Sequence, residues 1–150
     1  MTMTENELQD GRVVAIAGPV IDVEFPRGAL PELNSAIEFT IELEGESTIV
    51  LAEVAQQLGN SRVRAICMKP TDGLVRGTPV RNTGHGIQVP VGDGVLGNVW
   101  NVWGEALDTQ PEGLDEMERW DIHRPAPTFD SLEPSARMFE TGIKVVDLLT

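Results

Sequence analysis

Apolar and polar residues alternate along much of the chain beyond residue 11, and this alternation predicts β-strands. In the clearest run, every second position from 37 to 43 is Ile, Phe or Leu, and the positions between are Glu or Thr. Residues 21–25 alternate in the same way. A period of two is typical of a strand with one face in a core and the other in water. We therefore predict half-buried strands over both runs.

Turn residues divide the N-terminal half into short strands. Residues 44–46, Glu-Gly-Glu, separate the run that ends at 43 from a second β-rich run at 47–54, as a hairpin turn does. A further β-rich run covers 62–68, and clusters of turn residues follow it at 70–73 and 76–79. Five or six short strands without a helical period predict a mainly β fold, a small closed barrel that leaves no sheet edge exposed.

The chain divides into three parts by composition. Residues 1–10 are polar and predict a flexible tail, and residues 11–83 form the predicted barrel domain. From residue 84 onwards, glycines interrupt runs of Val and Trp, and Pro125 and Pro127 predict an extended segment. Residues 84–150 are therefore predicted to form a second region.

The last twenty residues combine a helix signal with an apolar end. Ser131 is a candidate N-cap for a final helix, which we expect Gly142 to interrupt. The sequence ends on Val-Val-Asp-Leu-Leu-Thr, whose apolar side chains favour a partner over water. We therefore expect the polypeptide to continue beyond Thr150.

Acidic residues outnumber basic ones by 24 to 11, which gives a formal net charge of −13 at pH 7. The negative electrostatic field of such a charge repels nucleic-acid phosphates and anionic lipid, and disfavours both as partners. The acidic N-terminus predicts neither a secretory leader nor a transit peptide, and no apolar run reaches the 18 or so residues of a membrane span. A single cysteine, Cys67, cannot form an internal disulfide, which favours a reducing compartment.

Residues 92–97, Gly-Asp-Gly-Val-Leu-Gly, match the G-x-G-x-x-G fingerprint of dinucleotide-binding sites. That site requires a strand before the glycines and a helix directly after them. Residues 98–104 are β-branched, aromatic and interrupted by glycine, and so predict a poor helix. We therefore interpret 92–97 as a glycine-rich turn.

A phosphate-binding loop of the form G-x-x-x-x-G-K-[ST] is absent from the 150 residues. The only lysines are Lys69 and Lys144, and neither follows a glycine. The loop needs its lysine to reach the terminal phosphates of a nucleotide, so these residues predict no nucleotide site of this kind.

Two carboxylate pairs are candidates for acid–base chemistry or a divalent metal: Glu105 with Asp108, and Asp115 with Glu118. In so acidic a chain, neighbouring carboxylates arise by chance. We therefore interpret both pairs as parts of a solvated face.

The remaining reactive or aromatic residues have structural interpretations. His85 and His123 have no second ligand at metal-binding spacing. Cys67 lies in a strand pattern and is predicted to be a small core residue. Trp100 and Trp103 stand three apart among valines, which favours packing in a core or an interface.

Four longer runs carry a resemblance to a known family. They read VVAIAGPVIDVEFP at 13–26, TDGLVRG at 71–77, IHRPAP at 122–127 and TGIKVVDLL at 141–149. Together they resemble the N-terminal portion of the catalytic beta subunit of bacterial F-type ATP synthases. The second and third runs resemble beta more than the related alpha subunit.

This resemblance implies a fold and a set of partners. Residues 11–83 would be the N-terminal β-barrel, and residues 84–150 the beginning of an α/β P-loop nucleotide-binding domain that is incomplete here. The barrel would serve assembly of a hexameric ring in which alpha and beta subunits alternate. The central-stalk gamma subunit would be contacted through parts beyond this chain.

The resemblance also implies an activity. The full-length subunit would make ATP from ADP and phosphate using a transmembrane proton gradient, with Mg-ATP or Mg-ADP bound. It would lie at the cytoplasmic face of the bacterial plasma membrane. Its P-loop would begin about a dozen residues after Thr150, so we assign no catalytic, cofactor-binding or metal-binding residue and expect this chain alone to be inactive. The alternative is a free-standing acidic β-barrel that binds other proteins.

Overall fold

A computed structural model describes residues 9–43, 45–108, 113–135 and 137–149, together with the side chains of all of these except Leu43 and Asp115. Residues 1–8 of the predicted flexible tail therefore lie outside the described residues. Within the described residues the elements are β1 Gly11–Ala17, β2 Val20–Glu24, β3 Ser35–Leu43, β4 Glu46–Gly59, β5 Arg62–Cys67, β6 Pro79–Gly86, β7 Gln88–Pro90, β8 Arg119–Asp121 and one helix, α1 Lys144–Leu149.

The first six strands form a closed barrel in the order β1-β2-β5-β4-β3-β6. All neighbours are antiparallel, and the sheet closes because β6 pairs with β3 on one side and with β1 on the other. The predicted small closed barrel is confirmed. The register shifts by one residue between Val13 and Ala15 and again within β4, and such bulges help a short strand to curve around a small barrel.

The barrel core consists of the inward residues of the alternating runs. Phe39 in β3 is 3% exposed and faces Val50 of β4, and every second residue of β5 is buried. The buried core residues are Val13, Ile21, Val23, Phe25, Ile37, Phe39, Ile41, Val50, Ala52, Val54, Val63, Ala65, Cys67 and Val80. Aliphatic side chains dominate this core.

The predicted hairpin between β3 and β4 is present, although Glu44 itself lies outside the described residues. Leu43 pairs with Glu46 across the turn. Gly45 has φ of 87°, a left-handed conformation that glycine adopts without a steric cost.

Within the part of the barrel that the structure describes, three ion pairs join neighbouring strands on the outer surface. Arg64 donates two hydrogen bonds to Asp22, of 2.8 and 3.0 Å. Arg62 pairs with Glu24 at 2.9 Å, and Arg81 with Glu38 at 2.7 Å. In each pair the two residues stand directly opposite in the strand register, so each pair supports that register.

Replacing Asp22 with asparagine is expected to lower the free energy of unfolding by about 1 kcal/mol or less at neutral pH, because the pair is open to solvent. The hydrogen bond from Arg64, with its charge, lowers the pKa of Asp22. A lowered folded-state pKa means that the stabilisation is complete above the unfolded-state pKa and is lost as the pH falls through the folded-state value. Urea unfolding at pH 7 and at pH 2–3 measures this.

The matched control is Glu42→Gln. Glu42 is exposed on β3 and has no ion-pair partner among the described residues. We expect a smaller change there at both pH values. An Asp22→Asn effect that persists at the lower pH would show that it does not arise from the ion pair.

Beyond β6 the chain forms a small two-stranded sheet and turns. β7 pairs with β8, and residues 124–128, which include the two prolines, form neither helix nor strand. The prediction of Ser131 as an N-cap is wrong. Ser131 ends a single turn at Phe129–Ser131, and its hydroxyl donates to the Thr128 carbonyl at 2.7 Å. Glu133 precedes a proline, which disfavours the helical conformation there.

Candidate interaction site

Among the described residues, side-chain contacts from His123 and Glu105 join the region after β6 to the outside of the barrel. His123 Nε2 lies 2.9 Å from a carboxylate oxygen of Glu53 on β4. Lys69, which follows β5, donates to Glu105 at 3.2 Å. The other histidine, His85, lies 2.7 Å through Nδ1 from the carbonyl oxygen of Gly86. Within the described ranges, no group of three His, Cys, Asp or Glu residues is placed to hold a metal.

The candidate pair Glu105 and Asp108 holds a loop together. Glu105 accepts a 2.7 Å hydrogen bond from the Asn101 side chain, and this bond, followed by that from Lys69, lowers the pKa of Glu105. Asp108 accepts the backbone N–H of Val99 at 3.0 Å. Both residues are exposed, as interpreted from the sequence, but that interpretation missed these bonds.

The second candidate pair is only partly described, because the side chain of Asp115 lies outside the described residues. Glu118 accepts a hydrogen bond from the indole N–H of Trp120 at 2.7 Å. The Arg124 guanidinium lies 3.8 Å from the centre of the Trp120 ring, a cation–π contact. Sequence reasoning missed this cluster, although Trp and Arg four residues apart were visible in the chain.

The glycine run at 92–97 forms a turn. A single 3-10 turn, Asp93–Val95, follows β7, and Trp100 donates its indole N–H to the Val95 carbonyl at 2.9 Å. Residues 98–108 contain no helix. The interpretation as a glycine-rich turn is confirmed, and the half-buried Trp100 packs against this turn as part of the local fold.

Cys67 lies in the barrel core with 7% of its surface exposed. Burial raises its pKa to about 11, so the thiol stays protonated and unreactive at neutral pH. The prediction of a small core residue is confirmed.

An apolar area lies on the outer face of β4 and β5. We call it the β4–β5 patch and define it as Ile49, Leu51, Ile66 and Met68. Ile49 is 60% exposed and Ile66 45% exposed, while the other two are half-buried. Leu51 and Met68 are joined by a backbone hydrogen bond of 2.8 Å, so the four residues lie on two neighbouring strands at the same end of the barrel.

A second apolar surface lies near the end of the described chain. Large apolar side chains there are mostly in water: Phe129, Leu132, Met138, Phe139, Ile143, Val145, Leu148 and Leu149. The longest helix here, α1, has six residues, and no helix within the described ranges is long and apolar enough to cross a membrane.

Asp147 closes the turn that precedes α1. Its carboxylate accepts the Thr141 hydroxyl at 2.6 Å and the backbone N–H groups of Thr141 and Gly142 at 3.0 and 2.9 Å. These bonds, with that from the Thr141 hydroxyl the largest, lower the pKa of Asp147. Sequence reasoning missed this residue, because only the folded turn brings its carboxylate to N–H groups five and six positions earlier.

These features define the class of protein: the chain contains a closed six-stranded antiparallel β-barrel domain, and its candidate sites are surfaces for contact with other proteins. Residues 13–84 match the family model described as the ATP synthase alpha/beta family, beta-barrel domain. The match begins in β1 and ends in β6, and so covers the barrel. Over these residues the chain is therefore similar to the β-barrel domain of the ATP synthase alpha/beta family, and this match supports, at the level of the family, the resemblance found in the sequence.

Proposed function

We propose that this chain is the N-terminal part of the catalytic beta subunit of a bacterial F-type ATP synthase, and that its barrel serves assembly of the ring in which alpha and beta subunits alternate. The observation that carries the proposal is the closed barrel over the residues that match the family's barrel domain. A closed barrel suits this role because it has no free sheet edge, so neighbours contact its outer side chains and its connecting loops and do not extend its sheet.

The run TDGLVRG at 71–77 supports the beta assignment, and its contacts explain its composition. Thr71 donates its hydroxyl to the Gly18 carbonyl at 2.9 Å, and Arg76 donates to the Val14 carbonyl at 2.6 Å. Leu74 packs against the core. The run thus fastens the connection between β5 and β6 alongside β1, which is a structural role within the barrel.

Under this proposal the chemistry lies outside the 150 residues. The P-loop that binds Mg-ATP or Mg-ADP would follow Thr150, and the second region would be the beginning of the nucleotide-binding domain. The exposed apolar side chains of residues 129–149 support this, because packing against the remainder of such a domain would remove them from water. The subunit would act at the cytoplasmic face of the plasma membrane, in contact with a gamma subunit through its later parts.

Co-expression of the complete subunit with its alpha-type partner tests the assembly role. We expect an alternating hexamer by native mass spectrometry, and loss of that hexamer when residues 11–86 are deleted. Full assembly without the barrel would contradict the proposal. So would a subunit that stays monomeric beside alpha while its barrel binds unrelated proteins, which is the behaviour of a free-standing acidic module.

A further inference from the structure

A protonatable side-chain contact joins the second region to the barrel two strands away from the point where the chain leaves it. The chain leaves the barrel at Gly86, the end of β6, and the buried Ile87 leads directly into β7. β8 returns alongside β7, and the Ile122 N–H donates to the Ile87 carbonyl at 2.9 Å. The next residue, His123, reaches Glu53 on β4. The β7–β8 sheet is therefore held to the barrel both by the chain at Ile87 and by a side-chain contact at His123.

The Glu53 carboxylate depends on this contact for a partner. Its side chain is only 19% exposed, and the residues directly opposite it on the neighbouring strands are apolar, Ala36 on β3 and Ile66 on β5. In the part of the chain that the structure describes, the ring of His123 is the group that hydrogen-bonds this side chain. A carboxylate that is mostly removed from water loses hydration, and a donor close to it offsets part of that loss.

The other charged groups around this contact have partners of their own. Two positions along the neighbouring strands from the residues opposite Glu53 stand Glu38 on β3 and Arg64 on β5. Asp121 and Arg124 flank the histidine on its own segment. The partners are Arg81 for Glu38, Asp22 for Arg64, Gln88 for Asp121 and the Trp120 ring for Arg124. Because these groups are paired or stacked, the positive charge available to Glu53 within the described residues depends on whether the histidine is protonated.

We propose that the His123–Glu53 contact fastens the β7–β8 sheet to the barrel in a pH-dependent way. A neutral imidazole donates one hydrogen bond from Nε2–H to the carboxylate, whereas a protonated imidazole forms a stronger, charge-assisted hydrogen bond through the same atoms. Histidine side chains gain their charge as the pH falls from about 8 to about 5. Stabilisation of the protonated form is present at the lower pH and is lost as the pH rises. The join between the barrel and the second region therefore loosens as the pH rises, whether or not the proposed function holds.

Hydrogen exchange of the peptide that covers β8 and Ile122, followed by mass spectrometry on the 150-residue chain, measures how firmly the sheet is held. After correction for the intrinsic pH dependence of exchange, we expect its protection to be about two- to fivefold higher at about pH 5.5 than at about pH 8, the size of a partly exposed ion pair. His123→Gln keeps an N–H donor without a titratable group, so its corrected protection should be the same at both pH values. Glu53→Gln keeps an acceptor without the charge and should remove most of the difference.

The matched control is His85→Gln. The chain contains two histidines, and the ring of His85 contacts the Gly86 carbonyl and not a carboxylate. This variant should keep the difference seen in the wild-type chain. Peptides from β5 in the same samples report the barrel itself, and their protection should be unchanged in all three variants, because each substitution replaces a side chain on the outer surface. If one of the variants at 53 and 123 loses the barrel, the other decides.

A difference that is lost in His123→Gln and Glu53→Gln and kept in His85→Gln is the result that the contact predicts. Equal corrected protection at both pH values in the wild-type chain would overturn the proposal. A difference that survives in His123→Gln, or one that disappears in His85→Gln, would overturn it as well, because the titrating group would then lie elsewhere.

Discussion

Replacing Phe39 with alanine is expected to lower the free energy of unfolding of the barrel by about 3–5 kcal/mol. Phe39 is 3% exposed and belongs to the cluster of buried residues inside the closed sheet. Truncation removes most of its buried apolar surface and leaves a cavity that strands paired on both sides cannot easily collapse to fill. With a total stability of 5–15 kcal/mol typical of a small domain, such a loss would leave the barrel marginal or unfolded.

The measurement is the urea midpoint of Phe39→Ala beside that of Thr40→Ala. Thr40 is the next residue of β3 and points outward, so its truncation should change stability by about 0.5 kcal/mol or less. Similar small losses for both variants would mean that the inside and outside of β3 are equivalent, which a closed barrel forbids. If Phe39→Ala does not fold, Phe39→Leu gives a graded loss to compare.

The barrel could be predicted because its strands follow a period of two. Each alternating run has one inward face, and short strands of this kind are stable only when their edges are paired. The strand order β1-β2-β5-β4-β3-β6 could not be predicted in the same way, because the hydrophobic pattern of a strand does not determine which strands it pairs with. The local structure after residue 128 was harder still to predict from the sequence. Ser131 has the character of an N-cap, but Pro134 disfavours the helical conformation at the residue before it.

The contacts between the barrel and the second region could not be predicted from local pattern. His123 and Glu53 are 70 residues apart, and only the path of the folded chain brings them together. The β4–β5 patch did leave a signal, which was not recognised. Residues 49–52 are all apolar, so this strand breaks the alternation and has an apolar residue on its outer face as well. Such a run is typical of a strand covered on both sides.

The second large effect concerns nucleotide binding. We expect the 150-residue chain to give no heat of binding with Mg-ATP, and a chain extended through the proposed P-loop to bind it. The reason is chemical: a P-loop cradles phosphate with backbone N–H groups and neutralises it with a lysine, and neither Lys69 nor Lys144 stands in such a sequence. The net charge of −13 adds a field that opposes a polyanionic ligand.

Isothermal titration calorimetry of Mg-ATP into the two chains side by side is therefore the most direct test of whether the nucleotide site lies outside residues 1–150. No binding by residues 1–150 together with saturable binding by the extended chain would locate the chemistry beyond Thr150 and leave the barrel with its role in assembly. Saturable binding by residues 1–150 alone would contradict this division, because it would require a nucleotide site built from these 150 residues.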